Sequence, residues 1–222
     1  MQKRNRKLWI TAVCLLAVFV LWTVAVRVVD VAAIGPRESR VGFATLNGYV
    51  HRLTGANMSL YTVTDWLGLV PIVVCIGFAT LGLCQWIRRK SFFKVDKSIL
   101  ALGGFYIVVM AVYVLFEFAV INRRPVLIEG YLEASYPSST TMLVLCVMPT
   151  AAMQLDLRVK DKALRRCMTV IIIAFITFMV VGRLLSGVHW MTDIIGGGLL
   201  SAGLVWGYRA AVSSLDRLSE CH

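Results

Sequence analysis

Unbroken apolar runs alternate along this chain with short polar clusters, and it is run length rather than a helical or strand-like period that predicts the elements. Six stretches approach the length needed to cross a hydrocarbon core of about 30 Å as helices. They cover residues 8–29, 66–87, 99–120, 140–157, 168–182 and 190–208, the last three leaning on polar ends for reach. Inside lipid every backbone N–H and C=O must find a partner within its own segment, which a helix provides. The expected fold class is therefore all-α, one polytopic membrane domain over residues 1–222 built as a bundle of six transmembrane helices. The first run follows the basic residues Lys3, Arg4, Arg6 and Lys7. It is too long for the apolar region of a signal peptide and no small-residue cleavage site follows, so it is expected to remain as a span. Between the first two runs, residues 35–64 interleave Val41, Phe43, Leu46, Val50 and Leu53 with polar positions. That pattern suits a helix lying in the outer interface, either roofing a site or merely connecting two spans.

Composition agrees with this reading: 59% apolar residues, 16% charged residues and a mean hydropathy of +0.77 exclude an ordinary soluble domain. The net charge of +11 follows from topology. Four cations precede the first span, five lie in residues 88–97, five in residues 158–166, and Arg209 and Arg217 follow the last span, so sixteen of the 23 fall on one side. By the positive-inside rule that side is the cytoplasm, which places both termini inside and residues 30–65, 121–139 and 183–189 outside. Such short basic loops suit anionic lipid headgroups. They lack the interleaved aromatics or groove of a nucleic-acid surface, and no nucleic-acid partner is expected. Cys14, Cys75, Cys84 and Cys146 lie within spans, with Cys167 and Cys221 on the cytoplasmic side, so free thiols are expected. No spacing of His, Cys or carboxylates suggests a metal, and no cofactor is expected.

Ionisable side chains at membrane depth are costly, which draws attention to three polar runs at the outer ends of spans. The segment from Gly182 to Gly198 reads GRLLSGVHWMTDIIGGG, placing Arg183, His189 and Asp193 at the spacing R-x5-H-x3-D. The segment Tyr136-Pro137-Ser138-Ser139-Thr140 opens the fourth span. Its free N–H groups, positive dipole end and hydroxyls suit a phosphate, although Ser and Thr at this place also serve as ordinary caps. The third run carries Glu117, Arg123 and Arg124 before Pro125. Guanidinium forks suit phosphate oxygens, and interfacial arginines also snorkel with no ligand at all.

Together, and in this order, the three runs resemble the signatures K-x6-R-P, P-S-G-H and S-R-x5-H-x3-D of the type 2 phosphatidic acid phosphatase (PAP2, lipid phosphate phosphatase) superfamily. The resemblance covers residues 117–198 in detail and the first two helices only in topology. It implies that Arg124 and Arg183, with Arg123 beside them, bind the substrate phosphate, and that Ser138, Ser139 and Thr140 complete its cradle. His189 would be the nucleophile forming a phosphohistidine, with Asp193 orienting its ring. The implied substrate is a membrane lipid bearing a phosphate or diphosphate, such as phosphatidic acid, phosphatidylglycerol phosphate or undecaprenyl diphosphate, met at the outer face of what is expected to be a bacterial cytoplasmic membrane.

Four positions depart from the family pattern. Glu117 stands where the family has Lys, Ser139 replaces Gly, Thr140 replaces the second His, and Gly182 replaces Ser. The second His is the general acid that the resemblance implies for the leaving oxygen, and Thr cannot fill that role at neutral pH. Either another group supplies the proton, with Glu117 and His51 as candidates, or the leaving group is itself a phosphate that departs unaided, or the chain binds or carries a phosphorylated lipid without cleaving it.

Overall fold

Six long helices follow the six apolar runs. The computed structural model describes residues 2–220, so Cys221 and the side chain of Arg217 lie outside the described residues. Helix α1 spans Gln2–Val28, and a two-stranded ribbon (β1 Ala32–Ala33, β2 Arg40–Val41) leads to α2 at Ala44–Thr54. Helices α3 (Met58–Leu67) and α4 (Leu69–Arg89) run on as one 32-residue apolar span. The bundle is completed by α5 (Lys97–Phe118), α6 (Ser139–Arg158), α7 (Lys162–Leu185) and α8 (Met191–Glu220). Among the described residues five helical spans are long and apolar enough to cross a membrane, those formed by α1, α3 with α4, α5, α6 and α7, and α8, the expected sixth, is not one of them. Helix α8, 30 residues long, packs against α1, α2, α5, α6 and α7 and forms the hub of the bundle.

One reading is extended by the structure and one is corrected. The last three apolar runs gain reach from polar ends, in helices of 20, 24 and 30 residues. For α7 the reason is a cap, because the Asp161 carboxylate accepts from the N–H groups of Ala163 (2.7 Å) and Leu164 (3.1 Å) and starts the helix before the apolar run begins. The outer segment 35–64 is not one interfacial helix. Only α2 fits that description, while residues 58–64 belong to the second span, capped by the Asn57 side chain, which accepts from Leu60 N–H at 2.9 Å.

The inner core is formed by Phe19, Val26, Leu102, Phe105, Val109, Tyr136, Met142, Cys146 and Leu200, while apolar side chains such as Leu21, Val73, Ile107 and Ile171 face outward, as a lipid-facing surface requires. Hydrophobic burial discriminates little between helix contact and lipid contact, so buried polar pairs fix the register. Thr23 Oγ1 and Tyr136 OH lie 2.7 Å apart, Gln154 Nε2 donates to Tyr208 OH at 2.7 Å, and Asn47 exchanges bonds with Thr192, donating to its hydroxyl (2.9 Å) and accepting from its N–H (3.2 Å). Each is worth about 0.6 kcal/mol on average in a membrane bundle. Cys14, Cys75, Cys84, Cys146 and Cys167 are free thiols.

Two close approaches bring the outer segment down onto the end of α7. Gly182 lies so near α3 that a Cβ would come within 2.8 Å of Thr64 Cγ2, which accounts for Gly at this departure from the family pattern. Gly187 has φ +67°, and a Cβ there would run into the carbonyl of Gly55. A Gly187→Ala substitution therefore meets both the left-handed penalty of about 1–2 kcal/mol and a backbone collision. Thermal unfolding in detergent should show a clearly lowered midpoint, and an unchanged midpoint would mean that the loop does not hold α7 to the outer segment.

Candidate active site

The loop between α5 and α6 folds back on itself, with Arg124 N–H donating to Glu133 O (3.1 Å) and Ser135 N–H to Asn122 O (3.0 Å), and turns at Gly130, φ +84°. This folding carries Arg124 inward and presents the Ser135 carbonyl to the start of α8. There His189, 3% exposed, sits two residues before the start of the helix. Its Nδ1 lies 3.2 Å from Ser135 O and 3.8 Å from Asp193 Oδ2, so the carbonyl is the closer partner and only Nδ1–H can donate to it. That tautomer leaves the lone pair on Nε2, which faces Arg124 Nη1 at 3.4 Å.

Asp193 is fully buried and does two things at once. Its Oδ2 accepts from Trp190 N–H at 2.9 Å, the reciprocal half of a capping box at the start of α8, and its Oδ1 accepts from Asn122 Nδ2 at 3.4 Å. The Asp193 carbonyl also accepts from Ser138 N–H at 3.1 Å, locking the first turns of α6 and α8 together.

The two buried arginines converge on Tyr61 of α3, whose ring centre lies 5.1 Å from Arg183 Cζ and 6.0 Å from Arg124 Cζ. Each is paired with an exposed carboxylate. Arg124 Nε lies 2.9 Å from Glu133 Oε2, close enough for an ion pair but without the alignment of a hydrogen bond, and Arg183 Nη1 lies 3.3 Å from Asp65 Oδ1. Arg183 Nε is buried with no acceptor of its own, and Arg124 Nε has only the poorly aligned Glu133 carboxylate. An unmatched donor on a buried cation fits an anion that is not part of the protein.

A cavity of about 800 Å³ opens from these arginines between α4, α5 and α6. Glu117, Glu133, Asp65, Ser139 and Thr140 edge its polar end, and Leu69, Ile72, Val109, Met110, Leu143 and Val147 line the rest. His189 borders a much smaller adjoining cleft of about 10 Å³ that it shares with Ser135, Ser139 and Glu117. That space is about enough for one water.

The predicted site residues therefore divide. Arg124, Arg183, His189, Asp193, Ser139, Thr140 and Glu117 come together at one end of the bundle. Ser138 is buried and serves as the cap of α6, its Oγ 3.5 Å from Thr141 N–H, with its own N–H taken by Asp193. Arg123 turns away: its guanidinium donates to Leu132 O at 2.9 Å and its carbonyl accepts from Trp190 Nε1 at 2.7 Å. His51 packs edge-on against Trp190, ring centres 5.5 Å apart, and is not among the residues lining either space. Asp65, Tyr61, Glu133, Asn122 and the Ser135 carbonyl were not identified from sequence. Only Asn122, an amide beside two arginines, had a signal to offer. The described residues contain no cluster of three or more His, Cys, Asp or Glu able to hold a metal.

Burial, and after it the guanidinium charges of Arg124 and Arg183, hold the His189 pKa well below its usual 6.5. The neutral ring carries the free lone pair, so lowering the pKa preserves that form into mild acid. If His189 acts in catalysis, kcat/KM should show no loss governed by this ring on passing down through pH 6.5. Arg124→Gln should move its acid limb upward by removing one repelling cation. A wild-type limb centred on 6.5 would contradict the buried, cation-flanked setting.

Over residues 117–216 the sequence matches the family model described as the PAP2 superfamily. No curated protein matches the chain in sequence. Among solved structures, a transmembrane PAP2 type phosphatidylglycerolphosphate phosphatase from Bacillus subtilis superposes with a TM-score of 0.62 at 16% identity, over 92% of this chain and 96% of that one. At that identity the likeness speaks for the fold.

Proposed function

From the match of residues 117–216 to the PAP2 superfamily model and the shared fold, we propose that the chain is a membrane phosphatase of this kind, which hydrolyses a lipid phosphate or polyprenyl diphosphate at the outer face of the cytoplasmic membrane through a phosphohistidine at His189. The observation that carries this reading is the pairing of His189 Nδ1 with the Ser135 carbonyl at 3.2 Å, which favours the Nδ1–H tautomer. With Nδ1–H committed to the Ser135 carbonyl, Nε2 is the nucleophilic atom and points at a guanidinium placed to deliver phosphate to it.

In the proposed sequence the substrate phosphate takes the Arg124 Nη1 contact away from His189. Its oxygens bind Arg124, Arg183 and the first N–H groups of α6 at Ser139 and Thr140. Nε2 then attacks phosphorus as the bond to the lipid oxygen breaks. The ring becomes cationic, with Nδ1–H still held by Ser135 O and the Asp193 carboxylate nearby. Water attacks the phosphohistidine and inorganic phosphate leaves. The arginines and helix end stabilise charge on the equatorial oxygens, which is most of what phosphoryl transfer requires. The apolar part of the large cavity takes the hydrocarbon tail directly from the bilayer. Of the two candidate acids, Glu117 lies on that cavity, while His51 does not, and burial lowers the His51 pKa so that it is a weak proton source at neutral pH.

Phosphate release by purified protein against phosphatidic acid, phosphatidylglycerol phosphate and undecaprenyl diphosphate tests the reading. Release from none of them, with binding retained, would favour a lipid carrier, the reading suggested by Thr140 at the position of the second His. Glu117→Gln should slow a monoester about 10²-fold if Glu117 is the acid, and a diphosphate little, because phosphate departs more readily than an alkoxide. Membrane sidedness is tested separately with an impermeant thiol reagent on intact cells. A cysteine placed beside Arg123 should react and one beside Lys94 should not.

A further inference from the structure

A second cavity, of about 570 Å³, lies between α4 and α5 in the half of the bundle farther from His189. It is almost wholly apolar, lined by residues including Phe78, Leu83, Trp86, Ile99 and Leu102, and it shares Cys75 and Tyr106 with the cavity that opens from the arginines. The two are therefore neighbouring compartments of one groove, meeting at Tyr106, whose hydroxyl lies 3.3 Å from Thr150 Oγ1.

The dimensions say what such a groove can hold. Along α5 the distance from Glu117 to Tyr106 is about 16 Å, and from Glu117 to Ile99 about 27 Å, at 1.5 Å per residue. One leaflet of hydrocarbon is about 15 Å deep and the whole core about 30 Å. An acyl chain whose phosphate sits at Arg124 and Arg183 thus ends near Tyr106, and only a chain longer than one leaflet reaches the second compartment. Resting on the phosphatase reading above, we propose that this compartment is a distal tail subsite, occupied by the far end of the substrate's own hydrocarbon chain when that chain passes the bilayer midplane. The floor of the groove is left open for it: a Cβ built at Gly103 or Gly104 meets nothing within 4 Å.

The proposal can be tested by photolabelling. An undecaprenyl phosphate carrying a diazirine at its tail end, added to the protein in nanodiscs, should label peptides from residues 78–102, and unlabelled undecaprenyl phosphate should compete that label away, whereas a farnesyl phosphate carrying the diazirine at its own tail end should leave those peptides unlabelled. Gly104→Phe fills the groove away from the phosphate site. It should abolish the competed label while leaving turnover of farnesyl diphosphate unchanged. Label spread over all lipid-facing helices, or the same peptides labelled by the short probe, would overturn the subsite. Because labelling and competition need no turnover, a protein that cleaves nothing but is labelled as described would sink the hydrolytic reading and keep the subsite. A protein that cleaves both chain lengths but labels diffusely would do the reverse.

Discussion

Replacing His189 by alanine should abolish phosphate release, by about 10⁴-fold or more, while the thermal midpoint in detergent stays near that of the wild type. The ring touches Arg124 and the Ser135 carbonyl but is not one of the polar pairs that register the helices, so its loss should spare the bundle. Undiminished release would remove the phosphohistidine from the mechanism. Asp193→Asn offers the comparison. Because Ser135 O is nearer Nδ1 (3.2 Å) than Asp193 is (3.8 Å), the tautomer survives the substitution, and the loss should be smaller than for His189→Ala. An equal loss would give Asp193 the orienting role that its distance assigns to the carbonyl.

Arg183→Lys should cost about 10²–10³-fold, mostly in kcat. Lysine keeps the charge but loses the planar fork and the face that lies over Tyr61, 5.1 Å from its ring centre. A fork aligned to the planar, metaphosphate-like transition state acts mainly on kcat, so a loss confined to KM would mean that Arg183 only recruits substrate. Arg123→Ala is the internal control. Its guanidinium serves the Leu132 carbonyl, and its removal should leave the rate nearly unaltered.

Much of this architecture was legible from run lengths, because a helix in lipid satisfies its own backbone whatever its neighbours do. The R-x5-H-x3-D spacing was legible for a similar reason: His189 and Asp193 are four residues apart, and local geometry alone brings them together. What could not be read was every contact made across the fold. Asp65 meets Arg183 from 118 positions away, Ser135 meets His189 from 54, and nothing in either local sequence marks the encounter. The motif register singled out Arg124, but the sequence did not show that its neighbour Arg123 turns away. The backbone pairing of Arg124 N–H with Glu133 O sends one guanidinium inward and the other along the loop. How far α7 runs past its apolar core was not legible, because the Asp161 cap rather than apolar content sets where that helix begins.

The pairing of each buried arginine with its own carboxylate, Arg124 with Glu133 and Arg183 with Asp65, bears on how a reaction cycle ends. A buried cation stripped of its counter-ion costs several kcal/mol, and a site made of two such cations alone would hold inorganic phosphate and stall. In the proposed cycle the acids, exposed at the rim, would reclaim their partners as the product departs. That exchange would weaken the grip on any phosphate, and turnover should tolerate phosphate in the surrounding medium.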